Sequence, residues 1–188
     1  MSNRFCVKFL AQPATNLDEE ALIPIFHDWI RDRKIPGVLL DVVDYRHVPD
    51  GPGIMLITHE INYAMEHGGG EYGLSAQAKI PEGETHGDRL VNLVQRTAQF
   101  GALLEADQRV SGQVKLQGNQ FYYIANDRLN YPNTDEAFAA IKADLETAAA
   151  TIYSGKTVTI ARVENDPRER LTILVSVADA VEMGAIAA

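Results

Sequence analysis

Apolar residues recur along this chain at two spacings that take turns. Leu22, Ile25, Phe26, Trp29 and Ile30 are separated by three or four residues, which lines them up on one stripe of a helix. The pattern predicts a helix over 17–34. Asn16 and Glu19 have capping-box spacing at its start, and Pro24 inside it predicts a kink or a later start. Leu90, Val94, Ala98, Gly101 and Leu104 predict a second helix over 87–107. Phe138, Ile141, Leu145, Ala148 and Ile152 predict a third over 134–153, with Asn133 and Glu136 at capping spacing.

Between these stripes lie short runs rich in branched and aromatic residues, at 7–10, 38–43, 54–57, 122–125, 157–163 and 171–175. Such runs predict strands. In 71–80 the residues Tyr72, Leu74, Ala76, Ala78 and Ile80 alternate on one face, as in a half-buried strand. Gly118-Asn119 between 113–116 and 120 onward predicts a hairpin.

The order of elements repeats. Strand, helix, strand, strand runs from about Phe5 to Tyr63, and again from about Phe121 to Ala178. Leu22, Ile25 and Trp29 stand at a constant offset of 116 from Phe138, Ile141 and Leu145 (138 − 22, 141 − 25, 145 − 29). The reading is an α+β protein formed by internal duplication. Two ferredoxin-like β-α-β-β halves, 5–80 and 113–178, are joined by the helix at 87–107 in a single compact domain over 1–188. One mixed sheet of about eight strands, covered by helices, is the expected architecture.

Composition narrows the partners. The 188 residues are 46% hydrophobic and 23% charged, enough apolar content for a core. Asp and Glu outnumber Lys and Arg by 26 to 17, a net charge of -9. An acidic surface repels phosphate backbones and anionic lipid, so neither nucleic acid nor a membrane is an expected partner. No run approaches the ~18 apolar residues of a membrane span, and no secretory leader is read at the N-terminus. The one cysteine, Cys6, suits a reducing compartment, and the expected location is cytoplasmic. Cys6 itself is read as a small core residue.

Candidate chemistry gathers in one turn. Asp44 to Ile54 spans 10 positions (54 − 44), where the matching Glu164 to Leu171 spans 7 (171 − 164). Insertions in turns cost little and loops carry function. His47 or His59 would act as a general acid or base, oriented by Asp44 or Glu60, because imidazole titrates near neutrality. Arg46, Asp50, Gly51, Gly53 and Tyr63 would bind the ligand. If the flanking strands pair, His59 or Glu60 should approach the Asp41–Asp44 side. Two imidazoles and a carboxylate also suit zinc or iron, but the second histidine of H-E-x-x-H is missing, and no metal ligand is assigned. The bland alternative makes His59 a half-buried residue alternating with Met55, Ile57, Ile61 and Tyr63, and leaves His47 and Asp50 to fix the turn.

His67-Gly68-Gly69-Gly70 resembles the oxyanion loop of some esterases. The chain has no G-x-S-x-G elbow, so the run is read as a hairpin tip. Gly68-Gly69-Gly70-Glu71-Tyr72-Gly73 has G-x-G-x-x-G spacing but leads into the strand predicted at 71–80 instead of a helix, no Walker loop is present, and the cofactor stays unknown. The functional expectation is a cytoplasmic small-molecule-binding or regulatory module of unknown ligand. Its alternatives are a His/carboxylate enzyme of proton transfer or metal-assisted hydrolysis, and a homo-oligomeric structural subunit. A homodimer is expected, with Met183, Gly184, Ala185 and Ile186 suited to the contact.

Overall fold

Eight strands form one sheet in the order β2-β3-β4-β5-β1-β6-β8-β7 in the computed structural model, which describes residues 4–49 and 51–187. Along the chain these are β1 (Phe5–Leu10), β2 (Leu39–Asp44), β3 (Ile54–Thr58), β4 (Ile61–Glu66), β5 (Gly73–Ala78), β6 (Gln120–Ala125), β7 (Val158–Arg162) and β8 (Thr172–Val177). Helix α1 (Leu22–Asp32) follows β1, α2 (His86–Ala106) follows β5, α3 (Asp135–Ile152) follows β6, and short α4 (Met183–Ile186) follows β8.

The expected mixed sheet is corrected: every neighbouring pair of strands is antiparallel. The reason lies in the crossovers. Strands joined through a helix, β1 to β2 and β6 to β7, do run in the same direction, but they are not neighbours. β5, β4 and β3 separate the first pair, and β8 separates the second. The predicted hairpin around Gly118-Asn119 does not form. Leu116 instead bridges Ala11, and Gln117 N–H donates to the Leu10 carbonyl at 2.8 Å, so this stretch extends the rim beside β1.

The helix starts reflect local chemistry. Residues 19–21 make a 3₁₀ turn capped by Asp18, whose carboxylate accepts from Glu20 N–H at 3.1 Å. α1 therefore begins late, at Leu22, and Pro24 falls in its first turn, where its missing N–H costs nothing. Thr85 and Asp88 form a full capping box on α2. Thr134, not Asn133, caps α3, accepting from Ala137 N–H. Asn133 instead bonds Asn165 at 2.6 Å and Arg162 at 3.0 Å.

One register row shows where the core sits. Val42, Leu56, Tyr63, Ala76, Val7, Tyr123 and Ile173 lie side by side across the sheet. With Leu22, Ile25, Phe26, Trp29, Leu90, Phe100, Ile141 and Leu145 they form one apolar cluster. All three long helices thus cover the same face. α4 adds Met183 and Ile186 to that cluster, which overturns their expected role in a subunit contact. Among the described residues no helix is long and apolar enough to cross a membrane.

Candidate functional site

The adjacent register row faces away from the helices. It reads Val43, Met55, Ala64, Ser75, Lys8, Tyr122, Leu174 and Ala161. The row beside it reads Asp41, Ile57, Asn62, Gln77, Cys6, Ile124 and Thr172. Small side chains, Ala64, Ser75 and Cys6, sit between larger Met55 and Ile124. The step in side-chain size leaves a cavity of about 320 Å³, whose rim includes Pro52, Glu66, Gly68, Asn126 and Arg170.

Lys8 is the unusual member of this face. Its side chain is 2% exposed although no helix covers it. The ammonium meets the Glu66 carboxylate at 2.9 Å and donates to the carbonyls of Gly68 at 2.7 Å and Glu71 at 2.5 Å. Three donors thus have three acceptors, the condition for holding a charge inside a protein. Glu66 Oε2 accepts from Gly68 N–H at 2.5 Å. A Cβ at Gly68 would stand 2.3 Å from that oxygen, so glycine lets the loop close over the pair. The His67-Gly68-Gly69-Gly70 run is therefore a cover for Lys8, pinned at its far side by His67 against Glu19 (3.4 Å) and the Tyr72 ring (4.3 Å).

Beside the pair, Asn126 Nδ2 donates to Cys6 Sγ at 3.0 Å, and Arg170 Nη1 donates to Asn126 Oδ1 at 2.7 Å. Burial pushes the Cys6 thiol up to about 11, outweighing the opposing pull of Arg170 and Asn126, so it is neutral at physiological pH. Cys6 does not join the helix-side core. It floors the cavity on the opposite face. Asn62 Oδ1 is buried in the same cavity and finds no hydrogen-bond donor among the described residues.

The candidates from the long turn are distributed differently. His47 is exposed in the turn between β2 and β3, and His59 is exposed in the turn between β3 and β4. The two imidazoles lie at opposite ends of β3, and the structure does not bring them together. His59 does not alternate with Ile57 and Ile61 as expected, because the chain turns at 59–60. Pairing of β2 with β3 sets His59 against Val38, whose carbonyl accepts from His59 N–H at 2.7 Å. Glu60 likewise accepts from Val38 N–H at 3.3 Å, so both stand at the start of β2, away from Asp44 at its end. Burial opposes ionisation of Glu60, but its own N–H, Val38 N–H and the Arg96 charge together hold the carboxyl below the usual range.

Asp44 and Arg46 do come together. Arg46 grips Asp44 with Nη2 at 2.7 Å and Nε at 3.0 Å, and reaches Glu20 at 3.3 Å. The Arg46 hydrogen bonds hold the Asp44 carboxyl at about 2, which makes it a poor proton acceptor. Gly51 N–H donates to Val48 O at 2.9 Å and closes the turn. Gly53 has φ +63°, and a Cβ there would stand 2.2 Å from the Met65 carbonyl. Asp50 lies outside the described residues. Tyr63 belongs to the helix-side core, stacked on Phe100 at 4.5 Å, and burial pushes its hydroxyl up to about 12. Among the described residues no three His, Cys, Asp or Glu side chains gather to hold a metal ion.

The cavity residues Asn62, Glu66, Ser75, Gln77, Asn126 and Arg170, and Lys8 buried beside them, escaped the sequence reading. A signal was present: Lys8 interrupts an apolar strand, and Asn62, Ala64 and Glu66 alternate with Ile61, Tyr63 and Met65. What fold and cavity define is an α+β protein with helices on one face of an antiparallel sheet and a polar-rimmed pocket on the other. No protein-family model matches this sequence, and no curated protein or solved structure shows significant similarity to it.

Proposed function

We propose that this protein is a small-molecule-binding or regulatory module, and that its ligand lies in the open-face cavity above Cys6, Ala64 and Ser75. The buried Asn62 oxygen without a donor carries the reading. A buried acceptor left unmet costs on the order of 1–3 kcal/mol, and a ligand donor would recover that. The volume, about 320 Å³, sits at the small end of ordinary ligand pockets, roughly 300–1,000 Å³. The acid–base reading of His47, His59, Asp44 and Glu60 has less support, since the imidazoles are a strand apart and Asp44 is held ionised.

The test is a small-fragment screen by ligand-observed NMR, with hit sites mapped by amide exchange. Protection in β1, β4 and β5 is the expected result. Hits confined to the turn at 45–53 would reject the cavity in favour of that turn.

We also read the chain as a duplicated ferredoxin-like unit. The pairing of β1 with β6 supports this. Each partner pair joins residue i to residue 130 − i: Phe5 to Ala125, Cys6 to Ile124, Val7 to Tyr123, Lys8 to Tyr122. Under the 116-residue offset Val7 is therefore paired with its own equivalent, as expected of a pseudo-twofold axis through that pair. The sheet order does not follow the match of 38–43 and 54–57 with 157–163 and 171–175, because β5 and β4 stand between β1 and β3; the orders β1-β5-β4 and β6-β8-β7 agree when β4 and β5 are taken as the equivalents of β7 and β8, with the β2–β3 hairpin as the addition to the first half. For assembly, Val38 and Leu40 are more than half exposed beside and on edge strand β2, which favours a homodimer through that edge. Light scattering of the protein and of Leu40→Lys decides it: a dimer lost on substitution supports the edge, and a monomer throughout removes it.

A further inference from the structure

We infer that the ligand of the open-face cavity carries a carboxylate docked on Arg170 and Asn126, with an apolar body laid over Ala64, Met55 and Ile124. This rests on the reading that the cavity is the binding site.

Six of the eleven arginines, Arg31, Arg46, Arg96, Arg109, Arg162 and Arg168, each have a carboxylate between 2.6 and 3.1 Å away. Arg170, like Arg33 and Arg128, has no ion pair among the described residues, but of these three it alone lines the cavity, where its Nη1 is bonded to the neutral amide oxygen of Asn126. The thiol beside it is protonated. The one carboxylate in the cavity, Glu66, is already taken by Lys8 on Oε1 and by Gly68 N–H on Oε2. The cavity rim therefore holds an exposed guanidinium with no carboxylate partner there.

Chemistry selects the partner of such a group. A guanidinium presents parallel N–H donors that match the two oxygens of a carboxylate, and the charged pair is about twice as strong as a neutral hydrogen bond. The floor of Ala64 with Met55, Pro52 and Ile124 at its sides is apolar and takes a flat body of one or two rings. Asn62 Oδ1 then receives an N–H or O–H from the ligand. The net charge of -9 repels anions at long range, but salt screens that beyond about 8 Å at physiological strength, and Arg170 dominates at contact.

Two probes of nearly equal shape test this, naphthoate and its neutral amide, naphthamide. Binding is read by ligand-observed NMR, and folding by circular dichroism. Naphthoate is expected to bind about tenfold more tightly. Arg170→Gln should weaken naphthoate about tenfold and leave naphthamide unchanged. Ala64→Phe should remove both, and Gln77→Trp, at an exposed rim position, replaces it if that variant does not fold. Equal affinities, or indifference to Arg170→Gln, would overturn the carboxylate while loss of both probes in Ala64→Phe keeps the cavity. Indifference of both probes to the filling variants, or no binding at millimolar concentration, would overturn the cavity and the carboxylate together.

Discussion

Phe5, Val7 and Phe9 point to one side of β1, and Cys6 and Lys8 to the other; all five are nearly inaccessible to solvent. The causes differ. The first three are packed by α1, α2 and α3 and their neighbours in the apolar cluster. Lys8 is hidden by a charge partner and the folded-over loop at 66–71, and Cys6 by the polar pair Asn126 and Arg170. Helix-side burial is non-directional and tolerates any apolar group of similar volume. Open-face burial depends on named donors and acceptors, and it fails when one partner is removed. A buried position in this strand therefore means packing on one side and recognition on the other.

The largest way to break that contrast is Lys8→Ala. It strands Glu66 and two carbonyls, and a loss of about 3–5 kcal/mol in urea unfolding is expected. Lys8→Met combined with Glu66→Gln should restore most of it, because it removes the unpaired charge. Phe9→Ala should cost a similar amount, about 3–5 kcal/mol, with no rescue from the open face. A loss below about 1 kcal/mol for Lys8→Ala would show that the Lys8–Glu66 pair does not hold the open face.

Next in size is thiol reactivity. With the Cys6 pKa raised from about 9 to about 11, the folded chain at pH 8 holds about a hundredfold less thiolate than the unfolded chain. Iodoacetamide labelling followed by mass spectrometry should be slower by that factor and should accelerate as pH rises toward 11. Labelling at the unfolded rate would remove Cys6 from the buried floor. Gly53→Ala follows, with an expected loss of about 1–3 kcal/mol from the left-handed backbone and the clash with Met65 O. The smallest effect is expected for His47→Ala and His59→Ala, each shifting the melting temperature by less than about 2 °C. A larger shift in either would give the turns a structural part that their exposure does not indicate.

The helices were legible because their stripes are long and nearly unbroken. Even the late start of α1 followed from Pro24. The strands were legible from branched residues, and the intervening strand at 71–80 from its alternation. Which strands become neighbours was not, because both crossover pairs are split by strands that arrive later in the chain. The site followed the same logic. His47 and His59 drew notice through chemistry and nearness in sequence, whereas Cys6, Asn62, Ser75, Asn126 and Arg170 meet only through sheet register. Lys8 carried the readable clue. A lysine within Phe5-Cys6-Val7-Lys8-Phe9-Leu10 must either snorkel out or find partners, and Glu66 stands opposite through β5.

The central place of β1 shapes how the chain is made. Its neighbours are β5, which begins 63 residues after β1 ends (73 − 10), and β6, which begins 110 after (120 − 10). At a synthesis rate of about 5–20 residues per second, β1 leaves the ribosome seconds before either flank exists. During that interval Phe5, Val7 and Phe9 have no sheet to join, and their apolar side chains stay open to solvent on the nascent segment. Folding of the middle of this protein waits on translation.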